Sequence, residues 1–120
     1  MHVRAEALRP DRVLVSASGP LDLATAPRLA DVLRAESPGR NVIVDLSDAT
    51  FIDSTGLAVL LNASRRAVAR STYLVVVCPQ GPVLRMFELA LLLETLRVVD
   101  SVAAALDALD ATENGPYRAV

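Results

Sequence analysis

Two short apolar runs, each followed by a segment with helical periodicity, constrain the fold of this chain more than any other feature. The runs are residues 41–46 and 73–78, and both are rich in β-branched residues. An almost unbroken apolar run of this length is typical of a strand that is buried on both faces. Strands that alternate with helices predict an α/β architecture with a largely parallel sheet and helices on both of its faces.

The remaining elements follow from turn and cap signals. Residues 3–8 and 13–17 flank a turn at residues 9–11 and predict an antiparallel hairpin, whose second strand we expect to end at Gly19-Pro20. Residues 51–52 are expected in a loop. Helices are predicted from Thr25, a candidate cap, to about residue 37, after residue 55, from Pro82 and over 102–111, with a last short strand at 96–99.

We therefore expect one α/β domain over residues 1–112 and a flexible tail at 113–120. The sheet should be mixed and mostly parallel, with four to five strands, an N-terminal hairpin and about four helices. In the second helix, the apolar residues that recur at helical spacing predict the buried face. They are Leu57, Leu60, Leu61 and Val68.

Charge and cysteine content exclude several classes of protein. A formal net charge of −2 is too small to attract a phosphate backbone or an anionic membrane, so neither nucleic acid nor membrane is an expected partner. The chain shows no signal-peptide pattern or long apolar span, which predicts a cytoplasmic protein. Its one cysteine, Cys78, is expected to be a small apolar filler in a strand and not a redox sensor.

The sequence offers little catalytic machinery. It contains no lysine and no glycine-rich nucleotide motif, and its one imidazole, His2, lies at the start of the chain. Ser54 matches only half of a nucleophile elbow. Asp45, Asp48 and Asp53 could hold a divalent metal, but aspartates at loop ends more often bond to their own backbone. We expect no enzymatic activity and no cofactor.

The most informative segment is residues 53–55, where Asp53, Ser54 and Thr55 stand immediately before the second helix. All three residue types cap helices, yet a helix needs only one cap. A hydroxyl at this place, just beyond a central strand, lies where α/β proteins present ligands. The positive end of the helix would also accept a phosphoryl group of about −1.5 to −2 charges, while Asp53 would repel it.

The surrounding residues resemble a known family. Residues 43–46 (Ile-Val-Asp-Leu) followed by 51–57 (Phe-Ile-Asp-Ser-Thr-Gly-Leu) resemble the phosphorylation-site signature of the STAS domain, in its bacterial anti-sigma factor antagonist form. The likeness extends to residues 19–22 (Gly-Pro-Leu-Asp), similar to the family's G-E-[LI]-D segment, and to 83–93, similar to its V-x-R-x-F-x-x-x-x-L helix. It therefore spans most of the chain.

The resemblance implies a partner switch. In that family the unphosphorylated antagonist binds an anti-sigma factor and so frees a sigma factor. The anti-sigma factor is often also a serine kinase of the histidine-kinase-like type, which binds ATP and phosphorylates the antagonist. A PP2C-type phosphatase reverses the modification.

Carried over to this chain, the resemblance makes Ser54 the phosphoacceptor, with Thr55 as the second choice, Asp53 as the flanking acid and Gly56 as a close-approach position. The partner surface would comprise Asp22, Asp53, Ser54, Thr55, Gly56 and Leu57. One departure is Pro20, which stands where the family commonly has glutamate, so that a charged contact with the partner would be lost.

Two other functions remain open. The first is a constitutive STAS interaction module that works without phosphorylation, and Pro20 is its best support. The second is a nucleotide- or small-ligand-binding domain that uses the same helix start. The sequence also leaves the role of the basic residues near the end of the second helix open, although a solvated helix face is the simpler interpretation. These residues are Arg65, Arg66 and Arg70.

Overall fold

The computed structural model describes residues 1–93 and 95–113 of the chain. Ten elements follow one another in the order expected of an α/β protein. The strands are β1 (His2–Arg9), β2 (Arg12–Leu21), β3 (Asn41–Asp45), β4 (Ala49–Ile52), β5 (Leu74–Val77) and β6 (Arg97–Val99). The helices are α1 (Ala26–Glu36), α2 (Ser54–Ala69), α3 (Pro82–Leu89) and α4 (Val102–Glu113).

The strands form one mixed sheet in the order β1-β2-β3-β5-β6, with β4 beside the far end of β2. Strands β1 and β2 form the predicted antiparallel hairpin, and all other neighbours in the sheet run parallel. The predicted α/β class, the hairpin and the four helices are confirmed. The described strands number six, one more than the four to five expected, because residues 49–52 form a strand.

The two apolar runs lie at the centre of the sheet, as β3 and β5, and are buried on both faces. Alternate side chains of these strands pack into different clusters. Val42, Val44 and Val76 face a large core shared with α1, α2 and α3. Ile43 and Val75 face a smaller core that α4 covers. Helices therefore cover both faces of the sheet, as the unbroken apolar runs predict.

Strand β4 corrects two sequence-based expectations. We expected Gly19-Pro20 to end the second strand and Phe51 to lie in a loop. Instead β2 continues to Leu21, and its last residues pair in parallel with β4, so that Pro20 lies opposite Phe51. The register shifts between Gly19 and Pro20, and such an irregularity accommodates a proline because it lacks the N–H that a regular ladder requires.

Two helix details also differ from expectation. Val68 was placed on the buried face of α2, but 75% of its surface is exposed, and Ala67 takes the buried position in its place. Apolar spacing did not distinguish these two residues, because either of two neighbouring positions can face the core near the end of a long helix. Thr25 precedes α1 as expected, but its side chain makes no cap hydrogen bond to the helix. Its hydroxyl donates to the carbonyl of Pro20 at 2.7 Å instead.

The last turn of α4 is fastened to the amino ends of the strands by a charge network. Arg12, only 5% exposed, donates through Nη2 to Glu113 Oε2 at 2.7 Å and to Asp110 Oδ1 at 2.9 Å. Arg9 donates to both oxygens of Glu113, at 2.8 and 2.9 Å. Asn41 Nδ2 donates to Glu113 Oε1 at 3.1 Å. The network joins the hairpin, β3 and α4.

Glu113, which we assigned to the tail, is the last residue of α4. The rest of that predicted tail, residues 114–120, lies outside the described residues. In the part of the chain that the structure describes, no helix combines the length and apolar character needed to cross a membrane.

Candidate functional site

The segment singled out in the sequence lies at the carboxyl ends of the parallel strands. Strand β4 ends at Ile52, and α2 begins two residues later at Ser54. The backbone N–H of Asp53 donates to the carbonyl of Leu21, the last residue of β2, at 3.2 Å. The start of α2 is thereby attached to the end of β2.

Asp53 is the cap of α2. Its Oδ1 accepts hydrogen bonds from the backbone N–H groups of Thr55, at 2.9 Å, and Gly56, at 3.2 Å. These bonds satisfy two of the donors that every helix leaves free at its first turn. Of the three consecutive cap-type residues, one therefore performs the capping, and the neighbouring hydroxyls are surplus to it.

Ser54 is exposed at the first position of α2. Among the described residues its hydroxyl has no hydrogen-bond partner, since none of the side-chain hydrogen bonds involves it. Thr55, the second candidate for modification, is half-buried. The structure thus distinguishes two adjacent residues that only the family resemblance had ranked: Ser54 is open to solvent and Thr55 is partly covered.

Gly56 and Leu57 lie beneath this surface. Gly56 is buried, and a Cβ at its position would stand 2.7 Å from Ile52 Cγ1 and 2.8 Å from the carbonyl oxygen of Leu21. Only glycine therefore allows α2 to approach the end of β2 so closely. Leu57 is 7% exposed and belongs to the large core. The close approach expected at Gly56 occurs within this chain.

Asp22 organises the loop between β2 and α1, on the other side of the Leu21 contact. Its Oδ1 accepts from the backbone N–H groups of Ala24, at 3.0 Å, and Thr25, at 3.1 Å. Its own N–H donates to Thr25 Oγ1 at 3.0 Å. The carboxylate is half-buried and is used largely to hold this turn.

Exposed apolar side chains stand on the two segments that lead into the site, and the sequence analysis did not single them out. Leu23 is 75% exposed and Phe51 is 50% exposed. Pro20, also exposed, is paired with Phe51 across the strands. No periodic signal marked Phe51, because the neighbouring residues Thr50 and Phe51 of β4 are both exposed and the strand does not alternate.

The basic residues of α2 lie at the opposite end of the helix from Ser54. Arg65 and Arg70 are exposed and Arg66 is half-buried, consistent with a solvated face. Burial, together with the positive charges of Arg34 and Arg70, lowers the pKa of Arg66. The charges at the helix start are instead acidic, from Asp53 and Asp22.

The structure also accounts for two other candidate groups, the carboxylate of Asp45 and the thiol of Cys78. Asp45, considered as a metal ligand, accepts from the N–H and hydroxyl groups of Ser47 at 2.9 and 2.6 Å. Within residues 1–93 and 95–113 no group of at least three His, Cys, Asp or Glu residues could hold a metal ion. Cys78 is 2% exposed in the large core, and burial raises the pKa of its thiol to about 11. A thiol in this state is poorly reactive.

A family model described as the STAS domain matches residues 4–105 of this chain. The chain is 26% identical over 90 residues to a protein from Listeria monocytogenes named anti-sigma-B factor antagonist. That alignment covers 73% of this chain and 79% of the relative.

Solved structures show the same fold. The crystal structure of an anti-sigma factor antagonist from Mycobacterium paratuberculosis matches with a TM-score of 0.78 at 27% identity, covering 89% of this chain and 92% of that one. The Bacillus cell fate determinant SpoIIAA in its phosphorylated form matches with a TM-score of 0.69, covering 90% of this chain and 99% of that one. At 16% identity this second likeness concerns the fold alone.

Proposed function

Because the chain belongs to the STAS domain family, we propose that it is an anti-sigma factor antagonist controlled by reversible phosphorylation of Ser54. In its unphosphorylated form it binds an anti-sigma factor with the surface around the start of α2, and a sigma factor is released. The observation that carries this proposal is the exposed Ser54 hydroxyl, which capping leaves unused because Asp53 performs that role.

The surface is suited to close docking. Ser54 is small and exposed, and the two segments that lead to this part of the fold carry exposed apolar side chains, Leu23 and Phe51. An apolar centre with a polar group beside it is a common composition for a protein interface. Asp22, Asp53 and Thr55 are half-buried and contribute the polar part of the proposed contact surface, while Gly56 and Leu57 support it from beneath.

Phosphorylation would change the charge of this surface without requiring the fold to change. A phosphoryl group on Ser54 adds about −1.5 to −2 charges at neutral pH. The helix start favours an anion, so the modified residue remains compatible with α2. Asp53 and Asp22 already make the neighbourhood acidic, and the added charge must be desolvated when a partner docks. Close contacts between like charges cost several kcal/mol, which is enough to weaken a complex more than a hundredfold.

In this proposal the protein is a substrate of other enzymes and not a catalyst. The partner kinase, expected to be the anti-sigma factor itself, transfers the γ-phosphoryl group of ATP to Ser54. The Ser54 Oγ–P bond forms, the bond between the γ-phosphorus and the ADP oxygen breaks, and the hydroxyl proton is released. A PP2C-type phosphatase returns the serine by hydrolysis. These partners act in the cytoplasm, which is the location we propose for this protein.

The test uses variants at Ser54 and a matched variant at the far end of α2. We expect Ser54→Ala to bind the histidine-kinase-like anti-sigma factor of the source organism but to resist phosphorylation, and Ser54→Asp to bind it at least about tenfold more weakly. Ser71→Asp introduces the same charge at an exposed position two residues beyond the other end of α2, a 16-residue helix about 24 Å long, and it should bind like the wild type. Affinity is measured by calorimetry and phosphorylation by intact-mass analysis with site mapping.

Two outcomes would redirect the proposal. Phosphorylation of Ser54→Ala, lost again in Thr55→Ala, would move the acceptor to the partly covered hydroxyl. Equal binding by Ser54→Ala and Ser54→Asp would favour the constitutive interaction module. The exposed pair of Pro20 and Phe51 is the observation that supports this second function, because it provides a docking surface without a charged group.

A further inference from the structure

Among the described residues, nothing pairs with the outer edge of the first strand of the sheet. Strand β1 pairs with β2 on one side and stands at the end of the sheet. Seven of its eight residues are exposed, and only Val3 is half-buried. An edge strand presents unpaired N–H and C=O groups, which natural proteins usually shield from pairing with another chain.

Charged side chains and bulges usually shield an edge strand, and β1 has an irregularity near its end, between Ala7 and Arg9, and charges of both signs. Arg4 and Glu6 are both exposed and carry opposite charges. Because they are two residues apart in a strand, they lie on the same face of the sheet. Within residues 1–93 and 95–113 neither takes part in an ion pair. Single-sign charge would repel a second copy of this strand, whereas this pair does not.

Symmetry limits how two copies of β1 could meet. A two-fold axis perpendicular to the sheet makes the two strands antiparallel and keeps each face on its own side, so residues of equal parity become opposite. An axis through Arg4 places Arg4 against Arg4 of the second copy, and an axis through Glu6 places Glu6 against Glu6 of the second copy. Like charges directly opposite one another are destabilising.

An axis through Ala5 gives the complementary register. Arg4 then lies opposite Glu6 of the second copy, and symmetry repeats this pair. On the other face Ala5 meets Ala5 of the second copy, and Val3 meets Ala7 of the second copy. The same register spans residues 2–8, and its regular part ends at Ala7, where the irregularity of β1 begins. Charge complementarity therefore selects one register among those that symmetry allows.

We propose that β1 is a homodimer interface, through which two copies form one continuous sheet with Ala5 on the two-fold axis. The occupant is a second copy of this chain because the pattern of charge on β1 is complementary to itself. The interface uses the free edge of the sheet and not the start of α2, so it is independent of the proposed function of Ser54.

Charge exchange tests both the interface and its register. We expect the wild-type protein to dimerise with increasing concentration in sedimentation velocity. Arg4→Glu and Glu6→Arg should each weaken dimerisation by about tenfold or more, since each converts both cross-strand pairs into like charges. An equimolar mixture of the two variants should regain the wild-type affinity as a heterodimer, and the double variant Arg4→Glu/Glu6→Arg should regain it as a homodimer. Arg65→Glu, an exposed change of equal charge on α2, should have no effect.

The proposal is overturned by a wild-type protein that stays monomeric up to its highest soluble concentration. It is equally overturned if either single variant dimerises as well as the wild type, or if the mixture of variants fails to associate. Far-ultraviolet circular dichroism of each variant confirms that the exposed substitutions leave the fold intact. Because the measurement contains no other protein, its failure would leave the proposed role of Ser54 unaffected.

Discussion

Polar side chains have different environments at the two ends of the parallel strands. At the amino ends, Arg9 and Arg12 are paired with carboxylates of α4 at 2.7 to 2.9 Å. At the carboxyl ends, Asp53 and Asp22 bind backbone N–H groups, and the hydroxyl of Ser54 is exposed with no partner among the described residues. At one end side-chain charges join elements, and at the other a serine hydroxyl is left exposed.

The difference shows how a small domain separates stability from recognition. A buried charge must be paired, because an uncompensated charge in the interior is costly. An exposed hydroxyl carries no such requirement and can be modified or covered by a partner at little cost to the fold. The amino ends should therefore be sensitive to substitution in stability measurements, and the carboxyl ends in binding measurements.

The largest expected effect is at Arg12. Arg12→Ala removes the buried guanidinium from Asp110 and Glu113 and should lower the free energy of unfolding by about 3 kcal/mol. Urea denaturation measures it. The matched control is Arg34→Ala, which breaks an exposed pair with Asp31 and should cost less than about 0.5 kcal/mol. Equal losses in the two variants would remove the special role of the network.

A second effect is expected beneath the site, at Gly56. Gly56→Ala places a Cβ within 2.8 Å of the backbone oxygen of Leu21, which cannot move without disturbing β2. We expect a loss of about 1–3 kcal/mol, even though alanine favours a helix more than glycine does. Gly39→Ala offers a contrast, since nothing lies within 4 Å of its added Cβ and only its positive φ of 73° opposes the change. A neutral Gly56→Ala would show that α2 can shift away from β2.

The ion-pair network of Glu113 should also make the stability of the fold depend on pH. Burial alone would raise the pKa of Glu113, but the hydrogen bond from Arg9 and the charges of Arg12 and Arg9 outweigh it and hold the pKa below the ordinary 4.5. A carboxyl group with a lowered pKa stabilises the fold at pH values above the unfolded value. That contribution is lost as the pH falls from about 4.5 through the lower pKa of the folded state.

Comparison with Glu113→Gln isolates this contribution. Thermal unfolding followed between neutral pH and pH 3 should show a smaller acid-induced decrease for the variant than for the wild type. Parallel decreases would mean that other carboxylates account for the acid sensitivity.

A smaller effect is expected for the cap of α2. Asp53→Ala leaves the N–H groups of Thr55 and Gly56 without their acceptor and should cost about 1 kcal/mol. Asp53→Asn keeps an acceptor oxygen in place and should recover most of that loss. The two variants are compared by urea denaturation, and an Asn variant as unstable as the Ala variant would indicate that the charge, and not the hydrogen bonds, stabilises the helix start.

The smallest effect on stability is expected at Ser54 itself. Ser54→Ala removes a hydroxyl that has no partner among the described residues, so the free energy of unfolding should change by less than about 0.5 kcal/mol. Chemical denaturation of the variant beside the wild type measures it. A loss above about 1 kcal/mol would show that the hydroxyl supports α2, and the contrast between the two ends of the sheet would then weaken.

Local patterns predicted most of the fold. The sequence predicted the hairpin, all four helices and the two apolar runs that form β3 and β5. These elements could be predicted because burial of a regular element leaves a periodic pattern of apolar residues. The errors at Gly19-Pro20, Phe51 and Val68 have a common origin. Each depends on which neighbour covers the residue, and β4 exists only because β2 extends beyond β3 to pair with it.

At the site, sequence alone identified residues 53–55 as unusual, because three cap-type residues precede one helix. It also favoured Ser54 over Thr55 through family resemblance. It could not assign the cap to Asp53 or distinguish the exposure of the two hydroxyls, since both depend on the backbone path between β4 and α2. The ion pairs of Arg12 were likewise invisible, as they join residues that are 98 and 101 positions apart.

The sequence by itself therefore determined the order and type of the elements and the place of the serine among them, because periodicity and capping are local properties of the chain. Only the tertiary structure decided which polar groups form hydrogen bonds or ion pairs and which remain exposed. The N–H of Asp53 is bonded to the carbonyl of Leu21, Glu113 is paired with two arginines, and Ser54 is left exposed. The physical reason is that hydrogen bonding and desolvation depend on distances between segments that only the folded chain brings together.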